Sequence, residues 1–268
     1  MKKLRTHLLA LAAGVALTAG SASLAFAQAP SFQVTPSVAG GPAGVFTAND
    51  IGATTSELLT FNSTGATGSG WVDFTAFANN SVPIGSGITG LGNQYGLYIT
   101  FTLSDTLTSG TLGKPGSTYT LNSLDFSMFV DTTNNDTFTA ANANTATNAT
   151  VTVNAPADKL VATGSLIVGT AGFDALGGAF LNSTETFNNT AFGNTYFTSP
   201  VPFFNLAFDE FNNTQQGVLQ NGNLVSINDA TGDVDFNKTP EPASLALFGS
   251  GVLALGWVAR RRRKNVTA

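Results

Sequence analysis

The sequence contains no cysteine, so no disulfide can staple it, and thiol catalysis and cysteine-ligated zinc are excluded. Its single histidine is His7, and no arginine falls between Arg5 and Arg260. Everything between the two ends therefore lacks His, Cys and Arg. That removes Ser-His-Asp and Cys-His nucleophiles and arginine clamps on phosphate. Charge is scarce as well, at 10% of residues, while Gly reaches 29 and Phe 21. With few Glu, Lys and Arg to favour helix, and many Thr, Val and Phe to favour strand, the composition predicts a body with little helix.

The few charges are unevenly placed. Lys2, Lys3 and Arg5 open the chain, and Arg260, Arg261, Arg262, Arg263 and Lys264 close it. Between them stand only Lys114, Lys159 and Lys238, against fifteen acids before residue 240, a balance of 3 minus 15, or −12. Such a body has no basic face for nucleic acid. Its acidity fits solubility outside the cell, or loading with divalent cations.

Both ends read as targeting segments. Residues 1–27 hold a basic start, an apolar run over 8–17 and the small-x-small site Ala25-Phe26-Ala27, the three parts of a secretory signal read by the Sec export machinery and signal peptidase. At the other end, 239–264 runs Thr239-Pro240-Glu241-Pro242, then an uncharged stretch over 243–259, then the five bases 260–264. The uncharged stretch is at the lower limit for a single transmembrane helix, and the bases would remain cytoplasmic as its anchor. In this order the three features resemble the PEP-CTERM sorting tail. The resemblance implies an exosortase, a membrane-embedded transpeptidase, as partner, with Pro240, Glu241 and Pro242 as its recognition residues.

The exported domain, 28–238, reads as short strands separated by turns. Tyr95, Leu97, Ile99, Phe101 and Leu103 alternate with polar residues, as do Leu124, Phe126, Met128 and Val130. Further strands are expected at 56–61, 70–77, 150–154, 160–168, 196–197 with 202–208, and 218–227. Loops are expected at 79–93, 109–117, 131–148 and 180–194, all rich in Gly, Ser, Thr and Asn. Many strands without helical partners predict an all-β domain, a sandwich or jelly roll. Four segments, Phe32-Gln33-Val34-Thr35-Pro36, Gly44-Val45-Phe46-Thr47-Ala48, Asn93-Gln94-Tyr95-Gly96-Leu97-Tyr98 and Tyr196-Phe197-Thr198-Ser199-Pro200, resemble the flocculation-associated group of PEP-CTERM proteins. That resemblance supplies no catalytic residue. It implies a role in holding cells within an exopolysaccharide.

No catalytic constellation emerges, and the domain is expected not to be an enzyme. The adjacent acids Asp209 and Glu210 would point to opposite faces of a strand and could not converge on one glycosidic bond. Two Asx-rich segments offer hard oxygen ligands for Ca²⁺: Asp131, Asn134 and Asp136 in one, Asp229, Asp233 and Asp235 in the other. Neither has EF-hand spacing, and Asx side chains bonding their own backbone would account for both. Calcium is the sole cofactor expected to be possible. A carbohydrate-binding module would need exposed rings to stack on sugar; Trp71, Tyr95, Tyr98, Tyr119 and Tyr196 are the candidates, Tyr98 foremost because it lies off the apolar face of its strand.

Overall fold

The protein is described by a computed structural model over residues 29–237. The signal segment and its cleavage residues Ala25 and Ala27 lie outside the described residues. So do Pro240, Glu241, Pro242, the apolar run and the bases Arg260, Arg261, Arg262, Arg263 and Lys264. Among the described residues no helix is long and apolar enough to cross a membrane.

The first half of the domain holds β1 (Phe32–Val34), β2 (Phe46–Ala48), β3 (Asp50–Phe61), β4 (Ala66–Asn79), β5 (Val82–Pro83), β6 (Gly96–Ser109) and β7 (Thr118–Asp131). Then follow β8 (Thr137–Thr139), β9 (Thr150–Thr152), β10 (Lys159–Phe173), β11 (Ala179–Thr186) and β12 (Asn188–Asn189). The last are β13 (Phe197–Ser199), β14 (Leu206–Asn212), β15 (Val218–Asn221) and β16 (Leu224–Asn237). Helix among the described residues is confined to single turns such as Ser86–Thr89 and Gly193–Tyr196.

Strands β3, β4, β6, β7, β10, β11, β14 and β16 pair antiparallel in that order, and β16 returns to pair with β3 through Leu224↔Thr60 to Asp235↔Asp50. The sheet thus closes on itself. All-β holds as expected, but the ring is an up-and-down barrel, not a jelly roll, because each of its strands bonds to its neighbour in chain order. Closure leaves the ring no free edge strand.

Alternation sorts side chains to the two faces of the wall. In β3, Ile51, Ala53, Leu59 and Phe61 are buried on the inward phase, and in β7 Leu121, Leu124, Phe126, Met128 and Val130 are. Gly70 faces inward on β4, where an added Cβ would stand 2.6 Å from the Phe101 ring and 2.8 Å from Glu57 Cβ. Only glycine leaves room there for that ring.

A three-stranded sheet in the order β13-β1-β2 closes one end. Its Phe32 meets Phe77, Phe197, Phe203 and Phe236 edge-on, with ring centroids 5.3–6.4 Å apart. Such pairs add about 0.5–1.5 kcal/mol each beyond area burial. The four segments that carry the flocculation resemblance meet at this end. They supply β1, β2, β13 and the entry to β6, and the Tyr95 and Tyr196 hydroxyls share a hydrogen bond of 2.9 Å.

Outside the barrel, β8, within the segment expected to be loop, pairs with β9, within the strand expected at 150–154, to form an arm. The arm lies on Leu58 and Trp71 with Ala141, Ala143 and Ala149 buried against them. Trp71 Nε1 donates to the Thr139 carbonyl at 3.0 Å, and Ala141 N–H donates to Ser56 Oγ at 2.8 Å. One expected loop and the second Asx-rich segment are strand instead. Ala179–Thr186 is a full barrel strand, and the second Asx-rich segment is the end of β16. In both, polar residues occupy inward as well as outward positions or Gly stands for an apolar residue, so the apolar period is hidden.

Candidate functional site

Seven of the fifteen acids fall into three groups with distinct surroundings: a trio at the base of the arm and two pairs within the barrel. At the arm base, Asp131 ends β7 and is buried at 2% exposure. Its Oδ1 accepts from Thr133 N–H at 2.9 Å and Thr133 Oγ1 at 3.1 Å; its Oδ2 accepts from the N–H groups of Asn135 at 2.6 Å and Asp136 at 2.9 Å. Burial pushes its pKa up, but these donors outweigh burial and hold it below the ordinary carboxylate value.

Asp136 and Asp158 bring ligand-capable oxygens within 4.8 Å of Asp131, the one such acidic trio among the described residues. Asp136 Oδ1 accepts from Asn154 N–H at 2.8 Å, and Asp158 Oδ2 accepts from the Tyr98 hydroxyl. The other two oxygens, Asp136 Oδ2 and Asp158 Oδ1, are shielded and have no donor. Burial raises the Asp158 pKa to about 6; the Tyr98 hydrogen bond pulls it down, while Asp136 and Asp131 push it up. The trio can therefore share a proton or accept a cation on two free oxygens. Asp131 itself is committed to the backbone.

The calcium expectation is redistributed by this geometry. Asp131 and Asp136 come together, but Asn134 turns away, donating Nδ2 to the Gly92 carbonyl at 2.9 Å. Asp158, which sequence reasoning missed, completes the group from 22 residues further along the chain than Asp136. The second set does not assemble into a trio. Asp229 sits exposed at a bulge with φ +56°, while Asp233 and Asp235 follow on the outward phase of the straight strand beyond it. There Asp235 faces Asp50 across the strands; burial and then the charges of Asp50 and Asp233 raise its pKa to about 6.

Inside the barrel, Glu57 and Asp105 form one pair and Glu185 and Asp209 the other. All four stand on the inward phase of their strands, in β3, β6, β11 and β14. Burial and then Asp105 raise Glu57 to about 7; burial raises Asp105 to about 6 against a hydrogen bond from Ala66 N–H at 2.7 Å. Burial and then Asp209 raise Glu185 to about 9, with Ser183 alongside lowering it. Asp209 is raised to about 7 by burial and then by Asp235. Both described lysines, Lys114 and Lys159, are exposed, so no described base faces these acids. Sequence reasoning singled out only Asp209. The signal for the others was present: Ile51, Ala53, Thr55, Glu57, Leu59 and Phe61 share one period-2 phase.

Asp209 and Glu210 do point to opposite faces, the first inward and the second exposed. The aromatic row that a sugar binder needs is missing among the described residues. Trp71, Tyr95, Tyr98, Tyr119 and Tyr196 are all at most 9% exposed. Tyr98 faces outward as expected, but the arm covers it, Phe138 meeting its ring edge-on at 5.5 Å and Phe129 stacking at 5.4 Å.

The family model of the PEP-CTERM protein-sorting motif matches residues 238–263. That match takes in Pro240, Glu241, Pro242, the uncharged run and four of the terminal bases. No curated protein and no solved structure matches the chain. The motif marks the chain as an exported, exosortase-processed surface protein, and it begins at the residue after Asn237, where the closing strand of the barrel ends.

Proposed function

We propose that this chain is a structural, adhesive protein of the cell surface or exopolysaccharide matrix that promotes flocculation or biofilm formation, with no catalytic activity. The observation that carries the reading is the sorting motif joined directly to the last barrel strand, with no described spacer between delivery signal and domain. In this reading the Sec machinery and signal peptidase export the chain after Ala27. The 243–259 helix then holds the precursor in the membrane, with Arg260 to Lys264 on the cytoplasmic side, until the exosortase acts at Pro240-Glu241-Pro242.

Two features support an adhesive role over the alternatives. The segments resembling flocculation-associated proteins form one contiguous end of the barrel instead of scattering. The buried rings argue against a sugar-stacking platform, and Asp209 and Glu210 pointing to opposite faces of β14 argue against a glycosidase built on them.

Deletion of the gene should disperse flocs while polysaccharide is still made, and re-expression should restore them only with both targeting ends intact. Replacing Pro240-Glu241-Pro242 by three alanines should leave unprocessed protein in the membrane fraction and fail to restore flocs. Asp209→Asn should restore them fully, as no turnover is involved. Normal flocs in the deletion strain would sink the adhesive reading; normal processing of the triple variant would sink the sorting role.

A further inference from the structure

The outward face of the wall formed by β10, β11, β14 and β16 carries apolar side chains in the open. Val168 is 62% exposed, and Phe208, at 37%, is the one exposed phenylalanine among the described residues. They share a rung of the wall, in which Val168, Thr184, Phe208 and Asp235 follow one another across the strands. The next rung runs Thr170, Asn182, Glu210 and Asp233. The two rungs line an open groove of about 390 Å³, within the ~300–1,000 Å³ usual for ligand sites.

The acids of this face are set against one another. Glu210 stands directly opposite Asp233, and Asp235 directly opposite Asp50 on β3. Like charges so placed destabilise a strand pair, and no described base pairs with any of the four. A partner that brings positive charge relieves the repulsion, whereas one that brings carboxylates adds to it. Side chains on one face of a strand recur every ~6.4–6.8 Å, so Asp233 and Asp235 present charge at a regular step, which suits a polymer better than a single ion. Between the acids and Val168, the side chains of Thr170, Asn182 and Thr184 make no hydrogen bond among the described residues. They are free to meet hydroxyl groups, and the Phe208 ring offers a flat apolar surface beside them.

We propose that this face binds a polysaccharide bearing free primary amines, a polymer of amino sugars. Its ammonium groups, each with three N–H donors and no acceptor, lie on Glu210, Asp233 and Asp235. The C–H face of a sugar ring rests on Phe208, and its hydroxyls bond Thr170, Asn182 and Thr184. The inference rests on the adhesive reading above and names the chemistry of the polymer that is held. One exposed ring is not a stacking row; charge supplies the attraction, and the ring supplies the preference for a sugar over a basic peptide.

The probe is a hexamer of β-1,4-linked glucosamine, titrated at about pH 6 into the purified full-length chain in detergent. Saturable binding is expected, weakening as salt is raised. The N-acetylated hexamer, the same backbone without the charge, should bind at least tenfold more weakly. Glu210→Gln combined with Asp233→Asn should weaken the glucosamine hexamer at least tenfold, while Asp125→Asn, which removes an exposed acid on β7, should leave it unchanged. Phe208→Ala should weaken the hexamer at least threefold and leave the binding of hexalysine as it was. All of these side chains point out of the barrel, and retained melting transitions will show that the variants fold. Absence of saturable binding, equal affinity for the N-acetylated hexamer, or an equal loss in Asp125→Asn would overturn the proposal. So would a Phe208→Ala variant that binds the sugar undiminished, which would make the face a site for basic peptides. These readouts come from purified protein, so their failure leaves the floc test of the adhesive reading to stand or fall separately.

Discussion

Asp131 at the arm base and the glutamates inside the barrel are buried carboxyls alike, yet they are stabilised in opposite protonation states. Asp131 receives four hydrogen bonds from its own loop and is held ionised. Glu57 and Glu185 receive no such set of donors and are held protonated by desolvation. Position in the chain decides which. At a strand end, successive N–H groups have no ladder partner and turn to the nearest carboxylate. In mid-strand they are consumed by the ladder, and an inward carboxyl is left alone with apolar neighbours.

The largest expected effect follows from the barrel acids. A carboxyl whose pKa is raised on folding keeps its proton more tightly in the folded state. The stability it contributes is complete below its unfolded value and drains as pH rises through its folded one. Glu57 moves from 4.5 to about 7, and at about 1.4 kcal/mol per pKa unit that is roughly 3 kcal/mol lost between pH 4.5 and 8. Denaturant unfolding should therefore show stability falling from pH 5 to pH 9. Glu57→Gln should retain about 3 kcal/mol more of its pH 5 stability at pH 9 than wild type does. Parallel losses in the two proteins would show that Glu57 is not buried as described.

At the arm base the sign reverses. The lowered pKa of Asp131 means that its contribution is present above its unfolded value and is lost as pH falls through the folded one. Asp131→Asn removes the acceptor shared by the Asn135 and Asp136 N–H groups. It should cost about 2 kcal/mol at pH 7, the penalty for buried donors left unmet, and less and less below pH 4. A cost that stays constant down to pH 2 would contradict the role given to the carboxylate.

How much of this contrast was legible beforehand depends on the periodicity of each strand. β6 and β7 announced themselves because Leu97, Ile99, Phe101 and Leu103, and Leu124, Phe126, Met128 and Val130, keep an unbroken apolar phase. β11 did not, because Ser183 and Glu185 interrupt that phase, and the interruption includes one member of an interior acid pair. Barrel closure was beyond local reading, since it joins β3 to β16 through pairs such as Ser56↔Asn228. The arm was hidden for another reason: Ala141, Ala143 and Ala149 look like low complexity, yet small side chains are what let its backbone approach Ser56 and Ser226 closely enough to donate. Of the calcium candidates, Asp131 and Asp136 were near neighbours in sequence, whereas Asp158 enters only once the chain has passed along the arm and back.

The smallest expected effect concerns calcium, and its size follows from the same contrast. Calcium takes six to eight oxygens, and the lone pairs of Asp131 are already engaged by backbone and hydroxyl donors. That leaves Asp136 Oδ2 and Asp158 Oδ1 as the free carboxylate oxygens, with water to fill the remaining positions. Two carboxylates make a weak site, so millimolar Ca²⁺ should stabilise the fold by mass action by only about 1 kcal/mol, a shift of a few degrees at most in the melting temperature. Asp158→Asn should abolish the shift, while Asp233→Asn on the outer wall should leave it unchanged. A shift that survives Asp158→Asn would move the ion elsewhere on this acidic surface, and a shift many times larger would mean that Asp131 gives up its backbone donors to join the metal.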